Sequence, residues 1–102
     1  MVRRLAWTEA ATRDLEAAVA FISEDSPRYA LAIYHETKDA ARSLKRMSER
    51  GRMVPELRRT DIREIFVHRY RLIYQVTPES VCILAFIHGS RDFARAWKEP
   101  RG

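Results

Sequence analysis

Residues 62–92, which read IREIFVHRYRLIYQVTPESVCILAFIHGSRD, decide the fold. β-Branched and aromatic side chains crowd three runs, Ile62–Val67, Tyr70–Val76 and Val81–His88, and such runs favour strands. Only His68–Arg69 separate the first two runs, and only Thr77–Ser80 separate the last two. Because these links are too short for a helical crossover, the sequence predicts an antiparallel β-meander.

The turn between the first two strands fixes their register. It pairs Phe66 with Arg71 on one face of the sheet, and Ile65 with Leu72 on the other. We expect the drier face to receive helices; it carries Ile65, Val67, Leu72, Tyr74 and Val76. The other face would then turn Glu64, Arg71 and Gln75 to solvent, and a functional site is expected there.

The N-terminal half predicts a strand followed by two helices. The strand is Arg3–Thr8, and its last residue is an N-cap for a helix that ends near Glu24. Ser26 and Pro27 signal a second helix, which is predicted to stop at Gly51. Apolar residues recur at helical spacing in both, at Ala11, Leu15, Ala18 and Ile22, and at Ala30, Ile33, Thr37, Ala40, Leu44 and Met47. Arg13, Asp14 and Glu16 fall on the opposite, solvent side of the first helix.

The rest of the chain completes an α+β fold. Pro55 bars a helix from Arg52–Asp61, which is predicted to be a loop, and Phe93–Lys98 is predicted to form a short helical turn before Pro100. The expected architecture is an N-terminal strand, then an antiparallel two-helix hairpin packed on the β-meander, then the helical turn. A chain of 102 residues has room for one domain, residues 1–102.

Charge and cysteine content narrow the class of protein. The 19 Lys and Arg residues exceed the 14 Asp and Glu residues, so the net charge of +5 would attract an anionic partner, either nucleic acid or an acidic protein. Cys82 is the only cysteine, so no internal disulfide is possible, which suits the reducing cytoplasm. No signal peptide and no membrane-spanning stretch is expected.

Several kinds of chemistry are not expected. His35, His68 and His88 are assigned to a helix, a turn and a strand end, without a supporting pair of cysteines, so we expect no metal site. The chain has 3 glycines, which form no phosphate-binding loop, and it has no serine nucleophile elbow. The sequence therefore predicts no cofactor.

An arginine-rich concavity is the candidate site. Its expected members are Arg71 on the central strand, His88 and Arg91 after the last strand, and Trp97 beyond them, with Arg52, Glu56, Arg63 and Glu64 as candidate partner-binding residues. Such a set would grip phosphate and stack a base. The alternative is structural: Arg71 pairs with Glu64 or Asp92, and Trp97 anchors the C-terminal segment as an apolar contact.

The order of elements and four segments resemble the RelE/ParE toxins. The segments are Trp7–Leu15, Gly51–Leu57, Tyr70–Val76 and His88–Asp92, and they extend over nearly the whole chain. The resemblance implies the toxin of a type II toxin–antitoxin system, inhibited by a small, acidic, DNA-binding antitoxin until that partner is degraded. An exposed apolar stripe on either helix would favour a dimer or a heterotetramer with the antitoxin.

The superfamily has two branches with different targets. RelE-like members cut mRNA on the ribosome, whereas ParE-like members poison DNA gyrase. Arg71 and Arg91 fall where RelE-like ribonucleases carry arginines, with His88 as a third candidate catalytic residue. Ile62 and Glu64, however, fall where those enzymes carry lysines.

The proton donor is also in question. Trp97 lies near the position where RelE-like enzymes are expected to carry a tyrosine. The tryptophan keeps a ring that can stack on a base but lacks the hydroxyl, so His88 or Glu56 would have to donate the proton. The long helical hairpin and the His88–Asp92 ending favour the gyrase branch. The mRNA endonuclease is the alternative, and an inactive antitoxin-binding module is a third possibility.

Overall fold

The three predicted strands form the centre of a five-stranded sheet. The computed structural model describes residues 1–99, so Pro100 lies outside the described residues. In chain order the elements are β1 (Arg4–Trp7), α1 (Glu9–Ser23), α2 (Pro27–Ser43), β2 (Arg52–Met53), β3 (Ile62–Val67), β4 (Tyr70–Val76), β5 (Ser80–His88) and α3 (Phe93–Ala96). The predicted α+β fold is confirmed.

The sheet order is β1-β5-β4-β3-β2. The predicted register is confirmed, with Phe66 opposite Arg71 and Ile65 opposite Leu72. Two features were not predicted. β1 pairs with β5 in parallel, and two residues of the expected loop form the edge strand β2.

Local capping explains where both long helices begin. The Thr8 side chain accepts a hydrogen bond from the N–H of Ala11, and the Ser26 side chain accepts one from the N–H of Tyr29. Each bond satisfies a free amide of the first helical turn. α1 packs on β5 and α2 on β3, so the hairpin covers the predicted dry face of the sheet.

The predicted end of the second helix is wrong. α2 ends at Ser43, and the chain then passes through turns to Gly51. The cause is tertiary: the Tyr74 hydroxyl donates to the carbonyl of Ser48 at 2.9 Å and accepts from the N–H of Gly51 at 3.0 Å. Met47, expected on the buried stripe, is exposed as a result.

A β-bulge in β5 divides its side chains between two cores. Ile73 pairs with Ala85 while Tyr74 pairs with Ile83, so Leu84 is an extra residue. Ile83 and Phe86 therefore join the core under the helices. Leu84 and Ala85 both lie in a second core on the other face, beneath the 54–61 loop and α3.

That second core corrects the prediction for the polar face. Glu64 and Arg71 were expected in solvent and are buried instead, at 1% and 7% exposure. The loop and the C-terminal segment cover them, and neither element's position was readable from strand alternation. Among residues 1–99, no helix combines the length and apolar content needed to cross a bilayer.

Candidate functional site

Arg71 is the centre of a closed ion-pair network on the second face of the sheet. Its Nε donates to Glu64 Oε1 at 2.6 Å, and its two terminal nitrogens donate to the two oxygens of Glu56 at 3.0 and 2.7 Å. The other oxygen of Glu64 accepts from Arg52 at 2.7 Å. We call Arg52, Glu56, Glu64 and Arg71, with Phe93, the Arg71 cluster.

Aromatic rings close this cluster from above and from the side. The Arg71 guanidinium carbon lies 4.8 Å from the centre of the Phe93 ring, and that of Arg52 lies 5.4 Å from the centre of Phe66. Cations are attracted to ring faces at such distances. The Arg71 side chain is 8% exposed and that of Glu64 is 0% exposed, so this pair is largely removed from water, whereas Arg52 and Glu56 stay partly exposed.

Two positive and two negative side chains make the cluster neutral. Its hydrogen bonds lower the pKa of the Glu56 carboxyl, because Arg71 stabilises the ionised form. The same bonds from Glu56, with those from Glu64, raise the pKa of Arg71. Both groups therefore stay charged at neutral pH, and each has its partner within the protein.

Trp97 and Arg63 lie outside this network. Trp97 packs on the second core and stacks on Phe93 with ring centres 5.6 Å apart, so it anchors the C-terminal segment as the structural alternative proposed. Its indole N–H donates to Glu99. Arg63 points to the helix side, where it donates to the carbonyl of Gly51 at 2.8 Å.

The structure does not bring His88 and Arg91 to Arg71. They lie instead on the helix side of the sheet, at a hollow of about 530 Å³ between α1 and the end of β5. We call this hollow the Asp14 pocket; its lining residues are Asp14, Ala17, Ala18, Phe21, Tyr70, Phe86, His88, Ser90 and Arg91. The residues expected in one concavity therefore lie in two separate sites.

Asp14 was expected in solvent and is half-buried in this pocket. β1 pairs with β5 only as far as Ile83, so the outer edge of β5 beyond that residue has no strand beside it. Asp14 accepts a hydrogen bond there from the N–H of Phe86 at 3.0 Å. Burial raises the pKa of the Asp14 carboxyl, and the Phe86 N–H and Arg91 offset this in part.

His88 has a defined proton arrangement when neutral. Its Nδ1 accepts from the N–H of Ser90 at 3.1 Å, so the ring proton is on Nε2. His88 also packs edge-on against Tyr70, with ring centres 5.0 Å apart. Nε2 is therefore the nitrogen left to donate to a bound group.

Sequence reasoning missed three residues of these sites. Phe66 lies two positions from Glu64, so strand alternation places it on the same face and would have found it. Phe93 and Asp14 had no such signal. Phe93 reaches Arg71 only because the C-terminal segment folds back. Asp14 can accept from the N–H of Phe86 only because β1 is shorter than β5.

A helical hairpin on one face of this sheet, with a short C-terminal helix on the other, is the architecture of RelE/ParE-like toxins. The structure is similar to a chain of the chromosomal ParDE toxin–antitoxin system from P. aeruginosa, with a TM-score of 0.69 and 19% identity over 85% of this chain and 96% of that one. It is also similar to a chain of the toxin–antitoxin complex RelBE2 from Mycobacterium tuberculosis, with a TM-score of 0.58 and 25% identity over 86% and 99%.

The sequence comparison is more specific than the fold. Residues 5–93 match the family described as the ParE toxin of type II toxin–antitoxin systems, parDE. The chain belongs to this ParE toxin family. No curated protein sequence matches it.

Proposed function

We propose that this toxin acts on DNA gyrase and does not cut mRNA. The observation that carries the proposal is the closed Arg71 cluster. Arg71 is the cation that an RNA-cleaving site would need, and it is held by Glu56 and Glu64 beneath Phe93.

RNA cleavage by the 2′-hydroxyl needs three groups around one phosphate: a base, a cation and a proton donor. A phosphate reaching Arg71 would have to displace the paired oxygens of Glu56 and would meet the negative charge of Glu64. His88 and Arg91, the other candidate catalytic residues, lie on the opposite side of the sheet. Arg71 is therefore not gathered with the other two candidate catalytic residues at one point.

A gyrase inhibitor needs only a stable surface. The Arg71 cluster meets that need by fixing the 54–61 loop and α3 against the sheet. We therefore assign the cluster a structural role. Arg52, Glu56 and Phe66 keep exposed atoms at its rim, where a protein partner would meet them.

An antitoxin is the second proposed partner. Membership of the ParE family and likeness to chains from two toxin–antitoxin assemblies support it. A net charge of +5 fits an acidic antitoxin. That this antitoxin binds DNA, that it forms a heterotetramer with the toxin, and that both act in the cytoplasm, where gyrase operates, stay predictions.

Two assays run side by side test the target. Purified protein is added to gyrase with relaxed plasmid, and to ribosomes programmed with mRNA. We expect loss of supercoiling in the first and uncut mRNA in the second. Glu56→Gln is added to the second assay because it loosens the hold on Arg71, and Glu49→Gln, an exposed glutamate outside the cluster, is its control.

The outcomes separate the three candidate functions. Cut mRNA with normal supercoiling, above all if Glu56→Gln cuts faster than Glu49→Gln, would show the endonuclease. Normal results in both assays, with antitoxin binding retained, would show an inactive antitoxin-binding module. Either result would overturn the gyrase proposal.

A further inference from the structure

We propose that a basic surface beyond the end of α2 binds the phosphate backbone of duplex DNA, so that the toxin contacts the DNA held by gyrase as well as the enzyme. We call it the Arg46 surface; it consists of Arg3, Lys45, Arg46 and Arg50 around the exposed side chain of Met47. This inference rests on the gyrase role proposed above and adds a second ligand, with the side chains that meet it.

The excess positive charge of the chain is concentrated at this surface. Residues 3–4 and 42–50 contain six of the 19 Lys and Arg residues but one of the 14 Asp and Glu residues, Glu49. The rest of the sequence has 13 residues of each sign, so the net charge of +5 belongs to these two segments. The N–H of Arg3 donates to the carbonyl of Lys45 at 2.8 Å, which joins the two segments in one surface.

Neutral oxygens position the arginines of this surface. Arg50 Nη1 donates to Ser43 Oγ at 2.7 Å, and Arg3 Nε donates to the carbonyl of Thr77 at 2.8 Å. Within residues 1–99, no carboxylate forms an ion pair with Arg3, Arg46 or Arg50. The arginines of the Arg71 cluster, by contrast, are neutralised by glutamates. The Arg46 surface therefore keeps its charge, and guanidinium N–H groups are left to donate to a ligand.

The backbone that carries these side chains is fixed. Tyr74 donates to the carbonyl of Ser48 and accepts from the N–H of Gly51, so both sides of the turn are tied to the sheet. The bond from Arg3 to Lys45 holds the same turn to β1. A frame that is ordered before binding loses less conformational entropy when a ligand arrives.

The lining of this surface fits phosphates better than a protein or single-stranded RNA. A hollow of about 380 Å³ is lined by Arg3 and residues 46–50. Among these described residues Met47 is the only apolar side chain and no ring is present, whereas a protein interface needs an apolar core and single strands stack on aromatic rings. Guanidinium groups bind phosphate oxygens, and most protein–DNA hydrogen bonds go to the backbone. Glu49 also lines the hollow, but it is exposed and the cations outnumber it.

Binding of the full-length toxin to a short fluorescent DNA duplex, followed by anisotropy over a range of salt concentrations, tests the inference. Each phosphate contact contributes about 0.9 to the slope of log K against log salt, so Arg46→Gln/Arg50→Gln should flatten the slope by roughly 2. The matched control is Arg13→Gln/Arg28→Gln, which removes the same charge from exposed positions on α1 and α2. It should leave the slope close to that of wild type.

Met47→Glu covers the case in which loss of the bond from Arg50 to Ser43 disturbs the fold. It places a negative charge in the middle of the surface from a side chain that is 56% exposed. We expect DNA binding to weaken as in the double variant, with an unchanged circular dichroism melt. Its control is Leu31→Glu, at an apolar residue of α2 that is 58% exposed, which should bind DNA as wild type does.

The same variants are then added to gyrase with relaxed plasmid. We expect the variants of the Arg46 surface to need at least about fivefold more protein for half-inhibition, because each lost phosphate contact weakens binding to any DNA sequence. The two control variants should inhibit as wild type does.

Three results would overturn the inference. Equal salt slopes for the two double variants would mean that net charge, and not this surface, attracts DNA. Unchanged DNA binding with weaker binding to the protein encoded in the adjacent reading frame would assign the surface to an acidic antitoxin. Lost DNA binding with full gyrase inhibition would show that the toxin acts without touching DNA. If the wild-type chain binds DNA through this surface but does not inhibit gyrase, the gyrase proposal fails and the DNA-binding surface stands.

Discussion

Gly51 shows how one residue without a side chain sets the position of a whole segment. A Cβ atom at this position would lie 2.5 Å from the carbonyl oxygen of Glu64 and 2.5 Å from the Tyr74 hydroxyl. The glycine is needed for close approach of the chain to β3 and β4. In the sequence, Gly51 follows a helical pattern and so predicts the end of a helix. Only the fold shows that the N–H of Gly51 donates to the Tyr74 hydroxyl.

Gly51→Ala should therefore destabilise the protein by about 2 kcal/mol, since it forces apart a packed backbone. For a chain of this size the melting temperature should fall by roughly 10 °C. Thermal unfolding followed by circular dichroism measures this. Gly89→Ala is the control, because its Cβ would lie 3.1 Å from the nearest atom, the carbonyl of Arg69, and its loss should be smaller. Equal losses in the two variants would contradict the explanation.

Among the elements, the 54–61 loop depends on charge where the strands depend on packing. Glu56 holds it to β4 through Arg71, and Asp61 accepts from Arg59 and from Gln75. Val54, in the same loop, packs in the second core. Strand positions and helix starts are local properties, so Thr8, Ser26 and the alternation of β3 predicted them. The loop's course is not local, because it depends on carboxylates finding arginines far along the chain.

Loss of the Glu56 contact should appear as a pH dependence. The pKa of Glu56 is lowered from its ordinary value of 4.5 in the folded protein. Its stabilising effect is therefore complete above the unfolded pKa and disappears as the pH falls through the lower, folded pKa. Glu56→Gln should be less stable than wild type at pH 7, and the difference should shrink below about pH 4.5, the unfolded value.

Urea unfolding of both proteins from pH 7 to pH 3 measures this difference. Glu49→Gln serves as the control, because Glu49 is exposed and contacts neither Arg52 nor Arg71. A difference between Glu56→Gln and wild type that stays constant over the whole range would mean that the charge of Glu56 is not what holds the loop.

At the scale of the whole molecule, the sheet separates two surfaces with different chemistry. One face carries the helices and ends at the Asp14 pocket, where polar groups remain open. The other face carries the Arg71 cluster, where they are paired. Residue types alone placed Arg71, His88 and Arg91 in one site. Strand alternation opposes that grouping, because His88 pairs with Tyr70 and Tyr70 points to the face opposite that of its neighbour Arg71. The bulge at Leu84 and the folding back of Phe93 are set only by tertiary packing.

If the Arg71 cluster is structural, its charges should be replaceable as a pair but not singly. Arg71→Leu leaves Glu64, whose side chain is fully buried, with Arg52 alone, and breaking a buried pair in this way costs about 3 kcal/mol. In the double variant Arg71→Leu/Glu64→Leu no buried charge is left, and the two leucines extend the second core. We expect it to recover most of the stability that Arg71→Leu loses, because buried ion pairs and apolar pairs of similar volume have similar net stability; the remaining loss is that of the Arg71–Glu56 contact, which holds the loop.

The same double variant connects stability with function. If gyrase meets the rim and not the buried charges, the variant should inhibit supercoiling as the wild-type protein does, at equal folded concentration. Urea unfolding gives the stability and the supercoiling assay gives the activity. A double variant that is stable but no longer inhibits gyrase would show that Arg71 or Glu64 contacts the target directly. A double variant as unstable as Arg71→Leu would show that the network fixes the loop through hydrogen-bond geometry that leucines do not replace.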